Sequence, residues 1–430
     1  MLDVYCGSMC FIKAKMTKDY RFLFILLCFF LSKNVQSQSL GFETQRKGER
    51  IDIPFEFENN FIVVTILFQN LFPLKFIFDT GAEHTILCKK DFTEIMNIRY
   101  DREFKILGAD MKTELKAYLA RGLSLKVNNS YIHAPKQDIL VLDEDYLKLD
   151  EASGVKIAGI LGADMFNRFV VKIDYTKQLI SLFDSQDFAA SNIKGFERFD
   201  IEIKNGKPYL YPTVSVHGQD TTKLKILIDT GASLNFLLFT NSHQSLSLPQ
   251  NYIRGAVGRG LGGLIEGYTG KISTMEISPT IRFQNLITSF QDVNFLMDSI
   301  SVASRNGILG SQLLSRFTIY IDYPHEKLYL RPNRNFKQDF KFDRSGLSIV
   351  ATGEELHTFS VNNVTLGSPA HWADFRKYDE IISINRIGCH LYELRNINRI
   401  LQGKAGKNLR IVVRRDGRKY VKRIVLKDLI

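Results

Sequence analysis

Between Ile62 and Leu330 the chain is a succession of short apolar runs, rich in β-branched and aromatic residues and bounded by Gly, Pro, Asn or Asp. Ile62–Phe68, Phe76–Phe78, Val170–Ile173, Leu179–Phe183, Tyr209–Val216, Ile226–Ile228, Thr318–Ile321 and Leu328–Leu330 are such runs. Their composition suits strands, and their Gly and Pro boundaries suit tight turns. Only brief helical turns interrupt them, at Asp164–Arg168 and Gln312–Arg316. The pattern therefore predicts a mainly β region without long amphipathic helices. From about Asp343 it changes: a helical stretch, Leu391–Leu401, precedes two alternating runs, Leu409–Arg414 and Tyr420–Leu426, joined through Asp416-Gly417. Asp-Gly between alternating runs predicts a hairpin.

The β region repeats itself. Leu74-Lys75-Phe76-Ile77-Phe78-Asp79-Thr80-Gly81-Ala82 returns as Leu224-Lys225-Ile226-Leu227-Ile228-Asp229-Thr230-Gly231-Ala232, an offset of 150. Gly159-Ile160-Leu161-Gly162, followed by Arg168-Phe169 and Ile173-Asp174-Tyr175, returns as Gly307-Ile308-Leu309-Gly310, Arg316-Phe317 and Ile321-Asp322-Tyr323, an offset of 148. Two unrelated motifs recurring in the same order imply a duplicated lobe. Polar stretches mark the boundaries: Ser185–Lys194 between the lobes, and Pro332–Arg344 before the last domain. The organisation read here is a leader over 1–37, a first lobe over 45–184, a second over 195–332 and a last domain over 343–430.

The leader rests on Lys18 and Arg21 ahead of the apolar run Phe22–Leu31, with small residues near Val35-Gln36-Ser37. A spanning helix needs about twenty apolar residues, so this shorter run predicts a cleaved signal peptide and export to a periplasm, a cell envelope or the medium. Met16 is an alternative start, and Leu27 before Cys28 argues against a lipoprotein. Cleavage would leave Cys88 and Cys389 in different domains, so no disulfide framework is expected. The 45% apolar and 24% charged content describes a globular protein. Its net charge of +11 is spread along the chain, and the one basic cluster, Arg410–Arg423, alternates with apolar residues as a strand does. Scattered charge of that kind predicts a solvated surface and no nucleic-acid partner.

The chemistry lies in the repeated Asp-Thr-Gly-Ala. Each copy follows three apolar residues, so each carboxylate ends a buried strand at a sharp turn that Gly81 or Gly231 permits. A single copy would read as a turn, but two copies at matched places in a duplicated lobe resemble the aspartic protease clan, pepsin-like and retropepsin-like. That resemblance, carried over about Ile51–Pro332, implies two β-barrel lobes whose loops meet at a pseudo-two-fold axis. It implies Asp79 and Asp229 as a catalytic pair sharing one proton, with Thr80, Gly81, Thr230 and Gly231 in support. It implies neither metal nor cofactor, and no dimer, since one chain carries both carboxylates. Ile160-Leu161-Gly162 and Ile308-Leu309-Gly310 resemble the clan's hydrophobic-hydrophobic-Gly element, whose Gly allows close approach to the catalytic loop.

One departure has a consequence in pH. Ala82 and Ala232 stand where pepsin-like enzymes carry a hydroxyl that donates to the carboxylate, as in retroviral-type enzymes. Without those donors the pair should titrate higher, giving a less acid optimum than pepsin's. Flaps are expected at Ile106–Tyr118, around Gly108, and at Gly255–Gly270. Gly258, Gly260 and Gly263 also satisfy G-x-G-x-x-G, but Leu264-Ile265-Glu266-Gly267 is a poor helix start for a dinucleotide site. No histidine falls in metal spacing, and His84 reads as a surface or packing residue.

The order Gly367-Ser368-Pro369-Ala370, Asp379–Asn385, helix, hairpin resembles a PDZ domain of bacterial envelope proteases. In that resemblance Gly346, Leu347, Ser348 and Ile349 bind a peptide, backbone N–H groups receiving its carboxylate and the adjoining strand pairing with it. Ser348 stands where Gly is common. The function implied is an endopeptidase acting on peptides or proteins, with the last domain recruiting them. The alternative is an inactive, chaperone-like protein that holds peptides in the same cleft.

Overall fold

The computed structural model describes residues 41–44, 50–107, 114–127, 132–188, 193–260, 263–292 and 305–430. The leader, Gly108 of the first expected flap and part of the Ser185–Lys194 linker lie outside them.

The fold is mainly β. A nine-stranded sheet occupies the first half of the β region. In it β1 (Glu56–Glu58) turns into β2 (Phe61–Phe68) through Asn59 and Asn60, both at positive φ (50° and 70°). Such a pair makes the two-residue hairpin turn whose twist matches its strands. β2 pairs with β3 (Phe72–Phe78), whose last three residues are buried. A long hairpin follows, β4 (Tyr100–Leu107) against β5 (Glu114–Val127). The short helix α1 (Leu149–Ser153) leads to β6 (Gly159–Leu161), which runs parallel to β3. β7 (Phe169–Asp174) then leaves this sheet for another.

The second half repeats this plan in a ten-stranded sheet. β8 (Ile226–Asp229) corresponds to β3, the hairpin β9 (Tyr252–Gly260) and β10 (Gly263–Glu276) to β4 and β5, and β11 (Gly307–Gly310) to β6. β11 runs parallel to β8, as β6 does to β3. The run Tyr209–Val216 is two strands, Lys207–Leu210 and Thr213–Ser215. Pro212, which has no N–H for a ladder, lies between them.

β12 (Phe317–Asp322) pairs antiparallel with β7 in a six-stranded sheet that joins the lobes. In that ladder Lys172 faces Tyr320, the residue 148 positions later and therefore its own duplicate. The pseudo-two-fold axis passes through this pair. One apolar core runs through both lobes, including Phe78, Phe166, Ile228 and Phe317.

The last domain has a separate core. Its sheet begins at an edge strand, β13 (Leu347–Thr352), and continues through β14 (Thr358–Val364) and β15 (Glu380–Ile384). The helix α2 (Leu394–Leu401) buries Leu394, Ile397 and Leu401. β16 (Asn408–Arg415) and β17 (Arg418–Val425) close the sheet through Asp416 and Gly417, both at positive φ. Cys88 and Cys389 are unpaired thiols buried in different cores. Among the described residues no helix is long and apolar enough to cross a membrane.

Candidate active site

Asp79 follows directly on β3 and Asp229 is the last residue of β8, so two corresponding strands deliver the two carboxyls to one place. The threonines lock the loops. Thr80 Oγ1 donates to the Ile228 carbonyl (2.7 Å) and Thr230 Oγ1 to the Phe78 carbonyl (2.8 Å). Each hydroxyl also accepts the other threonine's N–H, at 3.1 Å in both directions. These four bonds cross the lobe interface in a fully buried setting, where an unmade bond costs most.

Each carboxylate accepts two backbone N–H groups of its own loop. Asp79 Oδ1 takes Gly81 N (2.7 Å) and Ala82 N (3.2 Å); Asp229 Oδ1 takes Gly231 N (2.8 Å) and Ala232 N (2.9 Å). A Cβ on Gly81 would lie 2.5 Å from the Asp229 carboxyl, and one on Gly231 would collide with that of Asp79. Glycine at both places is thus a condition for the carboxyls to meet. Gly162 and Gly310 play a related part: a Cβ on Gly162 would sit 2.5 Å from the His84 carbonyl carbon, and one on Gly310 would strike the Leu234 carbonyl.

The two carboxyl groups lie within hydrogen-bonding reach of each other. Both keep some exposure, yet protein surrounds them densely enough that burial is the largest cause raising each. Asp79 is held well above the usual carboxylate range, by burial and then by the charge of Asp229. Asp229 is also raised by burial, but the positive charge of Arg305 and the bond from Asp79 pull against it. The two carboxyls therefore titrate as a coupled pair whose members sit in unlike surroundings.

The hairpin β9–β10 contains Gly258, opposite Ile265, and Gly260, opposite Gly263. The G-x-G-x-x-G glycines thus sit in a β-hairpin with no helix after them, which is no dinucleotide turn. His84 is exposed, 3.7 Å from Glu83.

No family model and no curated protein matches this chain. Solved structures do. The chain is similar to basic 7S globulin from soybean over 66% of its own length and 94% of the globulin, at 10% identity and a TM-score of 0.39. It is also similar to a photosystem II D1 C-terminal processing protease, at 21% identity and a TM-score of 0.20, over 20% of this chain and 24% of that one. The chain thus spans about a quarter of the processing protease.

Three groups near the pair were not singled out in the sequence. Arg305 lies two residues before the second Gly-Ile-Leu-Gly, where the first lobe has Ile157. Its Nε is buried with no partner among the described residues, and its guanidinium is 5.8 Å from the Phe239 ring. Tyr323 has a buried hydroxyl, also without a partner among the described residues. Burial and then the charge of Asp79 hold its phenol well above the ordinary value. Asn59 and Asn60, at the β1–β2 turn, meet Ser233 just after the second Asp-Thr-Gly-Ala: Ser233 Oγ donates to the Asn59 carbonyl (2.7 Å) and Asn60 Nδ2 to Ser233 Oγ (3.3 Å). Aligning the two repeats flags Arg305; nothing local flags the asparagines.

In the last domain, Gly346 has φ +83° and Ser368 fills the space a Cβ would need. Gly346 N donates to Asp343 Oδ2 (2.5 Å), Ser345 N to Asp343 Oδ1 (3.2 Å) and Leu347 N to Ser345 Oγ (3.1 Å). Burial pushes Asp343 up to about 6 against the pull of these donors. Of the four residues expected to receive a peptide carboxylate, Gly346 and Leu347 therefore have N–H groups engaged inside the loop. Ser348 and Ile349 lie on β13, with a bulge between them.

Proposed function

We propose that this chain is an aspartic endopeptidase acting outside the cytoplasm on peptide or protein substrates. The observation that carries the reading is the carboxyl pair: two Asp side chains from duplicated loops, within bonding reach, raised by burial and asymmetric in their surroundings. A water held between them would lose a proton to ionised Asp229 as its oxygen bonds to the scissile carbonyl carbon. Protonated Asp79 would give its proton to the carbonyl oxygen. Collapse of the resulting gem-diol would return a proton to Asp79 and pass the one on Asp229 to the leaving nitrogen, so charge and protons balance without a covalent enzyme intermediate. The hairpins β4–β5 and β9–β10 are the flaps in this reading, and the last domain recruits substrate.

The test is a mixed peptide library incubated with the mature protein, with Asp79→Asn and with Asp229→Asn. Cleavage by the parent and none by either folded variant supports the reading. Equal cleavage by all three, or none by the parent at any pH between about 3 and 8, rejects it; peptide binding retained without cleavage would favour the chaperone-like alternative.

A further inference from the structure

Basic residues are spread along the chain, but their excess is not. Residues 386–427 hold 13 of its 57 Lys and Arg and only two of its 46 Asp and Glu. The remaining residues are therefore balanced, and this one stretch accounts for the whole net charge of +11. It folds mainly as α2 and the hairpin β16–β17 of the last domain.

The hairpin has two unlike faces. Leu409, Ile411 and Val413 of β16 and Ile424 of β17 turn into the domain's core. On that inner face Arg415 meets Asp379 at 2.6 Å and Asp374 at 3.1 Å, and Lys422 meets Asp374 at 3.2 Å. On the outer face the ladder sets Arg410 opposite Arg423, Val412 opposite Val421, Arg414 opposite Lys419 and Asn408 opposite Val425. Arg414 reaches Glu380 at 3.3 Å, but Arg410, Lys419 and Arg423 have no carboxylate partner among the described residues. Asn385 accepts the Arg410 N–H (3.0 Å) and donates its own to the Arg410 carbonyl (2.8 Å), which brings exposed Arg386 to the same end of the hairpin.

Residues directly opposite in an antiparallel ladder stand about 5 Å apart at Cβ, so two of these four outer pairs oppose like charges and work against the fold. Charge on an edge strand guards it against unwanted pairing, which accounts for β17 alone; Arg410 and Arg414 stand one strand in. A face of cations without counter-charge complements an anionic surface. What lies between the cations selects among anions. Val412 and Val421 separate the two like-charged pairs, and Val421 and Val425 are 51% and 50% exposed. A nucleic acid would meet no aromatic ring on this face for a base to stack on, because Tyr420 lies opposite Val413 on the inner one. A bilayer interface takes both kinds of group, cations at the headgroups and apolar side chains just beneath.

We propose that the outer face of β16–β17 docks the chain on an anionic phospholipid surface, with Arg410, Lys419 and Arg423 meeting headgroup phosphates and Val421 and Val425 entering the interface. This goes beyond the peptidase reading and does not depend on it.

The test is co-sedimentation of the full chain with vesicles of phosphatidylcholine alone or with about one third phosphatidylglycerol. Binding should need the anionic lipid and weaken as salt is raised. Arg410→Ser, Lys419→Ser and Arg423→Ser together should weaken it on the order of a hundredfold, at about fivefold for each cation near the leaflet. Lys136→Ser, Lys177→Ser and Lys204→Ser, which remove three exposed cations from the two lobes, should together change it less than about twofold, because charge far from the leaflet is screened. Val421→Ser with Val425→Ser should weaken vesicle binding about tenfold without changing its salt dependence; thermal unfolding confirms that each variant is folded, and the valine pair keeps the test decisive if the charge variant is not. No sedimentation with the anionic vesicles, equal sedimentation with both kinds, or equal losses in the two triple variants overturns the proposal. So does tighter binding to a duplex DNA oligonucleotide than to the anionic vesicles at equal phosphate, which would assign the face to nucleic acid. Cleavage activity, found or missing, bears on none of these readouts.

Discussion

The first and second lobes place Asp79 and Asp229, Thr80 and Thr230, and Gly81 and Gly231 in matching positions, but they support them differently. In the first lobe Thr85 braces the loop by donating its N–H (2.9 Å) and hydroxyl (2.8 Å) to Asp164, a carboxyl that burial raises. The repeat offsets put Asn235 and Gln312 at those places in the second lobe, and Asn235 contributes its carbonyl to Gly310 N (3.0 Å). Arg305 is set against Ile157, and Ser311 against Ala163. The symmetric threonine bonds fix where the carboxyls meet. The surroundings differ: Arg305 and the bond from Asp79 lower Asp229 against burial, while burial and then the charge of Asp229 raise Asp79.

The comparison breaks first at the carboxyls. Replacing either Asp79 or Asp229 with Asn should lower kcat/KM at least about 10⁴-fold, by nearly the same factor for both, because they act as one unit. Steady-state cleavage of one peptide checks this, and a tenfold residual in either variant would mean the lobes are not equivalent partners. Next, Thr80→Val and Thr230→Val should each cost about 2–4 kcal/mol, since each strips a buried carbonyl and a buried N–H of their partner. Urea unfolding should show equal losses in the two variants.

Smaller effects fall on pH. The proposed mechanism needs one proton in the pair: below the lower titration both carboxyls are protonated and no base remains, above the upper one both are ionised and no acid remains. Burial raises both carboxyls, so both limbs of the bell move to higher pH, and a peak near about pH 2 would contradict this. Arg305→Met removes the charge that favours ionised Asp229, so the acid limb should move further up. The smallest change is Ala82→Ser with Ala232→Ser: two new donors favour the charged forms and should draw the acid limb down. A pH–rate profile distinguishes the opposite signs.

Most of the duplicated β framework was legible because period-2 runs and turn residues are local signals. The strands expected at Ile62–Phe68 and Val170–Ile173 fall within the observed Phe61–Phe68 and Phe169–Asp174. The helix expected at Leu391–Leu401 begins at Leu394, after a short 3₁₀ turn at Cys389–Leu391. The long strands Glu114–Val127 and Ile132–Leu142 carry no clean period-2 signal. Their apolar alternation slips at bulges near Leu123, which breaks a strict period of two. At the site, the Asp-Thr-Gly loops announce themselves, whereas Asn59 and Ser233 come together across 174 positions and leave no local trace.

The pairing of Lys172 with Tyr320 across the axis has a consequence for the assembly of halves. Were a first lobe to join a second copy of itself along this edge, lysine would oppose lysine, a repulsive couple in a partly desolvated ladder. In the covalent pair the ammonium instead lies 5.5 Å from the Tyr320 ring centroid, an attractive arrangement. Divergence at one duplicated position thus biases the first lobe toward its unlike neighbour and away from a twin.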